Sequence, residues 1–346
     1  MTGGLGPTSD DRTREALCSY FGCGMRIDPV SDANIRKIFS KRGLPITEVN
    51  LRQAEVPEKC EPVYNPIGTS PGMWFEENGK ILVAMPGVPF EMKKMFSDII
   101  LPRLVARFNP EPFVYRTVLT QGMGESFLSD QLKEWEKGLP EGISLAYLPS
   151  PGIVKLRLLT KGDLAEAMQE QIEKLKRVIP ELIFGYDDDT LESIIGELLV
   201  KKGLTLSTAE SCTGGYIAHL ITSVPGSSRY YKGSVIAYDN EVKVGELHVN
   251  RDAIALHGAV SREVVIQMAE GIRKKFGTDY SIAVSGIAGP DGGTAEKPVG
   301  TVWIAVSGPC GTHAMHDNFG DDRGRHIRRT ALTALNMLRK ELIGIL

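Results

Sequence analysis

Ser207-Thr208-Ala209-Glu210-Ser211-Cys212-Thr213-Gly214-Gly215 is the stretch around which this sequence is organised. It follows an apolar run at 204–206 that is typical of a strand, and it precedes residues 216–221, whose apolar spacing predicts a helix packed on that strand. A polar turn between a strand and a helix presents hydroxyl groups and unpaired backbone N–H groups to an anion. Ser211 is therefore a candidate nucleophile, although a serine before a helix is also a common N-cap.

Length and composition limit the classes of protein to consider. A chain of 346 residues is long enough for two or three domains. Its net charge of −3 gives no reason to expect nucleic acid or an acidic membrane as a partner. No apolar run approaches the ~20 residues of a membrane span, and the N-terminus lacks the features of a signal peptide. Five scattered cysteines argue against a disulfide framework and favour a cytoplasmic protein.

The first residues resemble an anion-binding loop. The glycine-rich segment 2–11 ends in Asp10 and Asp11, which are able to hold a cation or to cap the helix that follows. Such a loop is normally carried by a buried strand, yet only Met1 precedes it. A second candidate phosphate-facing loop is the turn at Gly87, which follows the strand-like run 81–85. A rigid strand-to-helix connection explains that turn equally well.

Residues 113–178 predict a small α+β domain in the order strand, helix, two strands, helix. Its segment Gly122-Met123-Gly124-Glu125 resembles the glycine loop of nucleic-acid-binding KH modules. No basic stripe accompanies that loop, and a glycine at a helix start is a common structural feature. We therefore interpret this domain as structural or interdomain, and residues 183–189 as a polar bridge to the last domain.

The last part of the chain alternates strands and helices, which predicts a layered α/β domain with its polar loops at one sheet edge. Three loops leave strand ends, at 207–215, 238–243 and 285–293. Together they hold Ser211, the pair Tyr238 and Lys243, and a glycine-rich turn. A lysine activates a serine hydroxyl when desolvation keeps its amine neutral, and Tyr238 is placed to relay a proton or to hold the pair in line. The alternative for Lys243 is an ordinary solvated charge.

Four motifs in this order resemble the C-terminal domain of the CinA (competence/damage-inducible protein A) family. They are Thr208-Ala209-Glu210-Ser211-Cys212-Thr213-Gly214-Gly215, Gly226-Ser227-Ser228, Tyr238-Asp239-Asn240-Glu241-Val242-Lys243 and Ser285-Gly286-Ile287-Ala288-Gly289-Pro290. Family members are nicotinamide-mononucleotide deamidases, which act in pyridine nucleotide salvage. Upstream, Thr2-Gly3-Gly4-Leu5-Gly6-Pro7-Thr8 and Met85-Pro86-Gly87-Val88-Pro89-Phe90-Glu91-Met92 resemble the family's molybdopterin-binding-like domain, and the middle domain resembles its KH-like domain.

The resemblance implies a multi-domain α/β fold. We expect a molybdopterin-binding-like α/β domain at 1–110, a KH-like α+β domain at 111–187 and a layered α/β CinA domain at 188–346. Family members carry a further segment before the Thr-Gly-Gly motif, including the first strands of that sheet. The N-terminal domain is therefore expected to be incomplete.

The resemblance also assigns site residues. The family's catalytic serine, tyrosine and lysine fall on Ser211, Tyr238 and Lys243, the same residues that the three loops indicate. Substrate-binding positions implied by the same motifs are Thr208, Glu210, Cys212, Thr213, Gly214, Gly215, Ser227, Ser228, Asn240, Gly286, Ile287, Ala288 and Gly289, with Ser227, Ser228 and Gly286 as phosphate candidates. The N-terminal nucleotide or metal site would comprise Gly3, Gly4, Gly6, Asp10, Asp11, Gly87 and Glu91.

The expected function is deamidation of nicotinamide mononucleotide by the C-terminal domain, without a metal or other cofactor. An alternative is an ADP-ribose pyrophosphatase in the N-terminal domain, which in the family uses a divalent metal and potassium. A further alternative is a nucleotide-binding module without catalysis, in which Ser211 only caps a helix. Expected partners are a small nucleotide and, by resemblance, a second copy of the chain; nucleic acid and membranes are not expected.

Overall fold

The computed structural model describes residues 1–8 and 10–346, which form two compact units, Met1–Glu111 and Pro112–Leu346. Ser9, part of the predicted anion loop, lies outside the described residues. The predicted boundary between 187 and 188 falls inside the second unit, so that boundary stays a prediction. No helix among residues 1–8 and 10–346 combines the length and the apolar character that crossing a bilayer requires.

The first unit contains short helices around two small antiparallel sheets. Its helices are α1 (Thr13–Phe21), α2 (Pro29–Arg42), α3 (Glu48–Leu51), α4 (Pro89–Met95) and α5 (Leu101–Phe108), with a π-helical segment, Phe96–Ile100, between the last two. Strands β1 (Met25–Ile27) and β2 (Glu55–Pro57) pair with each other, and β3 (Glu61–Val63), β4 (Gly72–Glu77) and β5 (Lys80–Ala84) form a three-stranded sheet.

Strands β4 and β5 form a hairpin. Asn78 and Gly79 occupy its turn with positive φ angles of 52° and 74°, as a two-residue type I′ turn requires. The strands then pair from Glu77 with Lys80 to Met73 with Ala84. Met73 and Phe75 are buried in the core of this unit.

The second unit begins with the small α+β region. Its elements are β6 (Phe113–Thr120), α6 (Glu125–Lys137), β7 (Ser144–Ser150), β8 (Ile153–Lys161), α7 (Ala165–Val178) and β9 (Ile183–Tyr186). The sheet is antiparallel with the order β7-β8-β6-β9. Residues Ile183–Tyr186, predicted to be part of a polar bridge, are instead a strand, because residues 183–186 pair with the end of β6 and bury Phe184.

The remainder of the second unit is a five-stranded mixed sheet between helices. Its strands are β10 (Leu206–Glu210), β11 (Tyr231–Ile236), β12 (Tyr280–Gly286), β13 (Thr301–Gly308) and β14 (Gly311–Asn318), in the order β11-β10-β12-β13-β14. Strands β11, β10 and β12 are parallel, and β13 and β14 are antiparallel additions. Its helices are α8 (Leu191–Lys202), α9 (Tyr216–Thr222), α10 (Asn240–Leu247), α11 (Arg251–His257), α12 (Arg262–Phe276) and α13 (Arg323–Ile343).

Both faces of this sheet are covered, as a largely parallel sheet requires. Helix α12 buries Val265 and Met268 against one face, where Ala209 and Ala283 leave room for it. Helices α8 and α13 cover the other face, burying Leu199 and Leu338 in a larger cluster. The predicted layered α/β domain is thus present, although β10 extends further than predicted and includes residues 207–210.

Candidate active site

Ser211 lies at the carboxyl edge of the three parallel strands. It is the first residue after β10, and its N–H donates to the carbonyl oxygen of Val284 in β12 at 3.1 Å. On the other side, Glu210 pairs with Ile236, so Ser211 is beside Ala237, the residue after β11. Ser211 is only 8% exposed. The sheet edge outside the carboxyl ends of parallel strands is where open α/β sheets bind ligands.

Lys243 is buried beside that edge. It lies on α10, which begins after Asp239, whose side chain accepts a hydrogen bond from the N–H of Glu241. Helix α10 thereby returns over the end of β11, and Lys243 is only 1% exposed. Its Nζ donates to the carbonyl oxygens of Ala237 at 2.8 Å and Tyr238 at 3.3 Å.

The environment of Lys243 favours the neutral amine. Burial lowers the pKa of Lys243 below its ordinary 10.5, and the charges of Asp239 and Cys212 oppose this shift less strongly. The alternative of a solvated lysine is therefore wrong. No hydrogen bond joins its Nζ to Ser211 Oγ, but both groups are anchored at the same strand end, since Ala237 accepts from the amine and is beside Ser211 in the sheet register.

Tyr238 contacts Lys243 only through its backbone carbonyl, and its hydroxyl binds Arg323 instead. Its hydroxyl accepts a hydrogen bond from Arg323 Nη2 at 3.0 Å, and Arg323 Nη1 donates to the carbonyl oxygen of Gly289 at 2.8 Å. The Tyr238 hydroxyl makes no hydrogen bond to Ser211 or Lys243. The predicted role of this hydroxyl in holding the pair in line is thus corrected: the Tyr238 carbonyl binds Lys243, while its 62% exposed side chain lies at the rim.

Arg323 is a site residue that the sequence analysis missed. It connects Tyr238 to the 285–289 loop, although α13 is distant in sequence from both. A signal was present, because Arg323 is the first residue of α13 after the N-cap Asp322. A cation in the first turn opposes the helix dipole, so a basic residue there indicates a role other than helix stabilisation.

Glu210 and Thr213 are used to build the turn. The buried carboxylate of Glu210 accepts hydrogen bonds from Thr213 Oγ1 at 2.6 Å and from the N–H groups of Gly215, Ile217 and Ala218 at 2.8–3.1 Å. These donors satisfy the start of α9, which is the role of an N-terminal cap supplied from the preceding strand. We therefore correct the prediction that these two side chains bind substrate: they position the Ser211 turn.

Thr208 is also structural. It is fully buried within β10, and its Oγ1 forms a 2.6 Å hydrogen bond with the hydroxyl of Tyr231 in the neighbouring strand. The sequence analysis placed residue 208 in a loop, but the pairing of β10 with β11 and β12 places it inside the sheet. A substrate-binding role for its side chain is therefore wrong.

Ser227 and Ser228 lie at the opposite edge of the sheet. They form a 3-10 turn, Ser227–Arg229, before β11, and the N–H of Leu206 at the start of β10 donates to Tyr230 O. Because β10 and β11 are parallel, their beginnings lie together, about 16 Å along the strand from Ser211. Within this chain these serines do not contribute to the Ser211 site, so the predicted phosphate contact is corrected.

The glycines of two motifs allow close approach. Gly214 and Gly215 have φ angles of 59° and 99°, which side-chain-bearing residues adopt rarely. A Cβ on Gly286 would lie 3.0 Å from Cys212 Sγ and 2.9 Å from Thr301 O. The absence of a side chain at Gly286 therefore lets the 285–289 loop contact the Ser211 turn.

Backbone N–H groups are available around Ser211. Those of Ala288 and Gly289 donate to no oxygen among the residues described, whereas Ile287 N is committed to Thr301 O at 2.8 Å and those of Cys212 and Thr213 interact with the Cys212 sulfur. Free N–H groups at such a turn suit a developing oxyanion. Asn240, the exposed first residue of α10, lies at the rim.

The two N-terminal motifs are joined through their backbones. Thr2 forms a parallel bridge with Met85, and Gly3 N donates to Met85 O at 2.9 Å. A Cβ on Gly87 would lie 3.2 Å from the Cα of Gly3, so the two glycine turns are in contact. Gly4, which precedes α1, also lacks room for a side chain, because a Cβ there would collide with Thr13 Oγ1. The predicted glycine loops thus lie together.

The acidic side chains of that region do not converge on a metal site. Asp11 accepts hydrogen bonds from the N–H and hydroxyl of Thr8, which lower its pKa, and a Cβ on Gly6 would collide with its carboxylate. Glu91 accepts from Asn65 Nδ2 at 2.8 Å, and Asp10 is exposed. Across residues 1–8 and 10–346, no group of three His, Cys, Asp or Glu is arranged to hold a metal ion. The donor set therefore does not fit the divalent metal implied for this domain.

Comparison with known proteins adds the family context. Residues 188–342 match the CinA C-terminal domain, residues 1–106 a probable molybdopterin binding domain, and residues 115–186 the damage-inducible protein CinA KH domain. The chain therefore combines these three kinds of domain in one α/β architecture.

Relatives match along almost the whole chain. A CinA-like protein of Cytophaga hutchinsonii is 45% identical over 346 residues, covering 99% of this chain and 83% of the relative. One of Flavobacterium psychrophilum is 44% identical over 351 residues, covering 99% and 84%. The crystal structure of competence/damage inducible protein CihA from Agrobacterium tumefaciens is 40% identical and covers 44% of this chain and 93% of its own, with a TM-score of 0.42.

Proposed function

The chain belongs to the CinA family, and on that premise we propose that its C-terminal domain hydrolyses the carboxamide of nicotinamide mononucleotide to nicotinic acid mononucleotide and ammonia. The observation that carries the proposal is the buried Lys243 amine held at the strand end beside Ser211. A cytoplasmic location and a homodimer, both expected from the sequence, stay predictions.

Lys243 acts as the general base in this proposal. As a neutral amine, it donates two N–H bonds to Ala237 O and Tyr238 O and retains a lone pair for a proton. The lowered pKa of Lys243 increases the fraction of neutral amine near neutral pH. Substrate binding brings the Ser211 hydroxyl into hydrogen-bond reach of this amine, since catalytic contacts often tighten only in the complex.

Ser211 then attacks the carboxamide carbon. The proton of its hydroxyl passes to Lys243, and the carbonyl oxygen becomes an oxyanion that the N–H groups of Cys212 and Thr213, or of Ala288 and Gly289, stabilise. The tetrahedral intermediate collapses as Lys243 returns the proton to the departing nitrogen, which leaves as ammonia. Water, deprotonated by the same amine, hydrolyses the acyl-enzyme and releases the carboxylate product.

The adjacent thiol is a poor alternative nucleophile. Burial raises the pKa of Cys212 to about 12, with a further contribution from the charge of Glu210. At neutral pH this side chain is a protonated thiol, and the thiolate is the nucleophilic form. Ser211, which Lys243 can deprotonate, is therefore the attacking group.

The test is ammonia release from nicotinamide mononucleotide by the full chain and by its Ser211→Ala variant. We expect the variant to lose at least about 10³-fold in rate while still binding the substrate. Ser228→Ala removes a hydroxyl at the opposite sheet edge and is expected to keep full activity. Unchanged ammonia release from Ser211→Ala would leave only a nucleotide-binding module.

The same preparation distinguishes the pyrophosphatase alternative. ADP-ribose is supplied with and without a divalent metal ion and potassium, and cleavage of its pyrophosphate linkage is measured. We expect no metal-dependent cleavage, because the described acidic side chains near Gly3 and Gly87 form no metal-binding group. Metal-dependent cleavage that survives Ser211→Ala would assign that activity to the N-terminal domain instead.

A further inference from the structure

Charge is segregated within the small α+β region. Its four strands, β6 to β9, contain four basic residues and no acidic one, whereas α6 and α7 carry seven acidic and five basic residues. No single segment shows a basic stripe, because the basic residues are distributed over two strands and are separated in sequence. The sheet brings them together.

Alternation along the strands decides which residues share a face. In β8, Leu156 and Leu158 are buried against the helices, whereas Lys155, Arg157 and Leu159 are exposed. Both helices lie on the buried side, through Leu128 and Leu132 of α6 and Met168 and Ile172 of α7. We call the opposite side the open sheet face; its exposed residues are Phe113, Tyr115, Ser144, Ala146, Leu148, Lys155, Arg157, Leu159 and Lys161.

Strand register aligns these residues across the face. Phe113 is opposite Lys161, and Tyr115 is opposite Leu159, which is itself opposite Ser144. The two aromatic rings are 60% and 57% exposed, which is unusual for side chains of that size. From residue 155 to residue 161 the face extends about 20 Å.

Arg157 and Tyr115 together present a positive charge and an aromatic ring on this face. The Arg157 guanidinium lies 5.2 Å from the Tyr115 ring centroid, and its Nε donates to Thr117 Oγ1. A cavity of about 330 Å³ lies beside Tyr115, Lys155 and Arg157. Neither Lys155 nor Arg157 has a carboxylate within 4.0 Å in the described part of the chain.

Of the two acidic groups nearest this surface, one is already engaged. Asp187, at the edge of the cavity, forms a 3.0 Å ion pair with Arg116 and accepts a hydrogen bond from Thr117 N. Asp188 also borders the cavity. No acidic residue belongs to the open sheet face itself, so Lys155 and Arg157 remain available to an anion.

We propose that the open sheet face binds single-stranded nucleic acid, with Lys155 and Arg157 contacting phosphates and Tyr115 stacking on a base. Exposed aromatic rings on a sheet, combined with basic side chains, are the means by which several folds bind unpaired bases. A protein partner with an acidic surface would not need two exposed rings, and a membrane would favour a more apolar face. The length of the face suits several nucleotides rather than one.

The probe is a fluorescein-labelled 12-nucleotide oligothymidylate, titrated with the full chain and followed by fluorescence anisotropy at about 50 and about 200 mM salt. We expect binding that weakens with salt. The double charge reversal Lys155→Glu/Arg157→Glu removes two phosphate contacts, so affinity should fall at least about tenfold and the log–log salt slope should decrease by about 1.4 in magnitude. Tyr115→Ala should weaken binding about tenfold, and Tyr115→Phe should restore it.

The matched control is Lys133→Glu/Lys174→Glu, which changes net charge equally but on exposed positions of α6 and α7. It is expected to bind within about twofold of the unchanged chain, since those positions lie on the other side of the sheet. An equal loss of affinity in both double variants would show that only net charge matters, which would overturn the proposal.

Other occupants give different results. If thymidine monophosphate competes as well as the oligonucleotide, the face binds a mononucleotide and the proposal is wrong. If no anisotropy change occurs at about 100 μM protein, the weak limit of non-specific binding, and Tyr115→Ala lowers the sedimentation coefficient, the face is a contact between copies of the chain. Both readouts are independent of ammonia release, so they stand apart from the deamidase proposal.

Discussion

The Nζ of Lys243 lies 2.8 Å from the carbonyl oxygen of Ala237, the residue that follows β11 directly beside Ser211. A lysine buried to 1% exposure has only backbone carbonyls as hydrogen-bond partners, and the charge of Asp239 offsets its burial only in part. Lysines in such surroundings lose protons more easily and are found where catalysis needs a neutral amine.

Lys243→Met keeps the length of the side chain but removes the base. Ammonia release from nicotinamide mononucleotide is expected to fall by about 10²–10⁴-fold, the range of a general-base contribution. Stability should change by no more than about 1 kcal/mol, because loss of two hydrogen bonds is offset by relief of amine desolvation. Lys232→Met, at an exposed residue of β11, is the matched control and should remain fully active. Retained turnover in Lys243→Met would remove this residue from the base role.

The pH dependence follows from the lowered pKa of Lys243. The value of kcat/KM should rise with pH as the amine loses its proton, with a midpoint below the ordinary 10.5. Between the lowered pKa and 10.5, the unfolded chain holds a proton that the folded chain does not, so the contribution of Lys243 to stability becomes more favourable as pH rises. Urea unfolding of the chain and of Lys243→Met isolates this contribution as a difference. A difference that stays constant across that window would contradict it.

Cys212→Ala tests which neighbour is the nucleophile. Because burial raises the pKa of this thiol to about 12, we expect the variant to retain ammonia release within about tenfold, the small loss reflecting altered packing of the turn. Exposed Cys310 should react with a thiol reagent at neutral pH well before Cys212 does. Complete inactivation of a folded Cys212→Ala protein would favour a thiol mechanism.

Glu210→Gln should destabilise the Ser211 turn. A glutamine has one acceptor oxygen where four donors now converge, and its amide N–H group would face the N–H groups at the start of α9. We expect a loss of about 2–4 kcal/mol, and a fall in activity that accompanies displacement of Ser211. Thermal unfolding is the measurement, with Glu197→Gln on the exposed side of α8 as a near-neutral control. Equal melting temperatures for the two variants would show that the carboxylate is not needed to hold the turn.

Two glycine substitutions should change the free energy of unfolding in opposite directions. Gly286→Ala places a methyl group 2.9 Å from Thr301 O and 3.0 Å from Cys212 Sγ, so we expect a loss of about 1–3 kcal/mol and lower activity. Gly245→Ala, within α10 and with no atom within 4 Å of the new Cβ, should stabilise by about 0.5–1 kcal/mol. Chemical denaturation of both variants gives the comparison. A stabilising Gly286→Ala would mean that the 285–289 loop is free to move away from the Ser211 turn.

Local sequence signals identified most elements correctly. The switch from an apolar run to a glycine-rich turn at 207–215 located Ser211 after a strand, and the apolar spacing at 216–221 predicted the helix that follows. These features depend on residues within one or two turns of each other, where backbone preference and side-chain spacing act directly. Strand ends depend on contacts across the sheet: β10 extends to Glu210 because two neighbouring strands pair with it.

By itself, then, the sequence predicted the alternating strands and helices of the last domain and identified Ser211 and Lys243 as candidates for one reaction. Only the tertiary structure decided that Lys243 is buried, that the Glu210 carboxylate caps α9, and that Ser228 lies at the edge of the sheet opposite Ser211. Only the tertiary structure, likewise, placed Tyr115 beside Arg157. The physical reason is that burial, strand order and register come from contacts between residues far apart in the chain, and the same local pattern is compatible with several such arrangements.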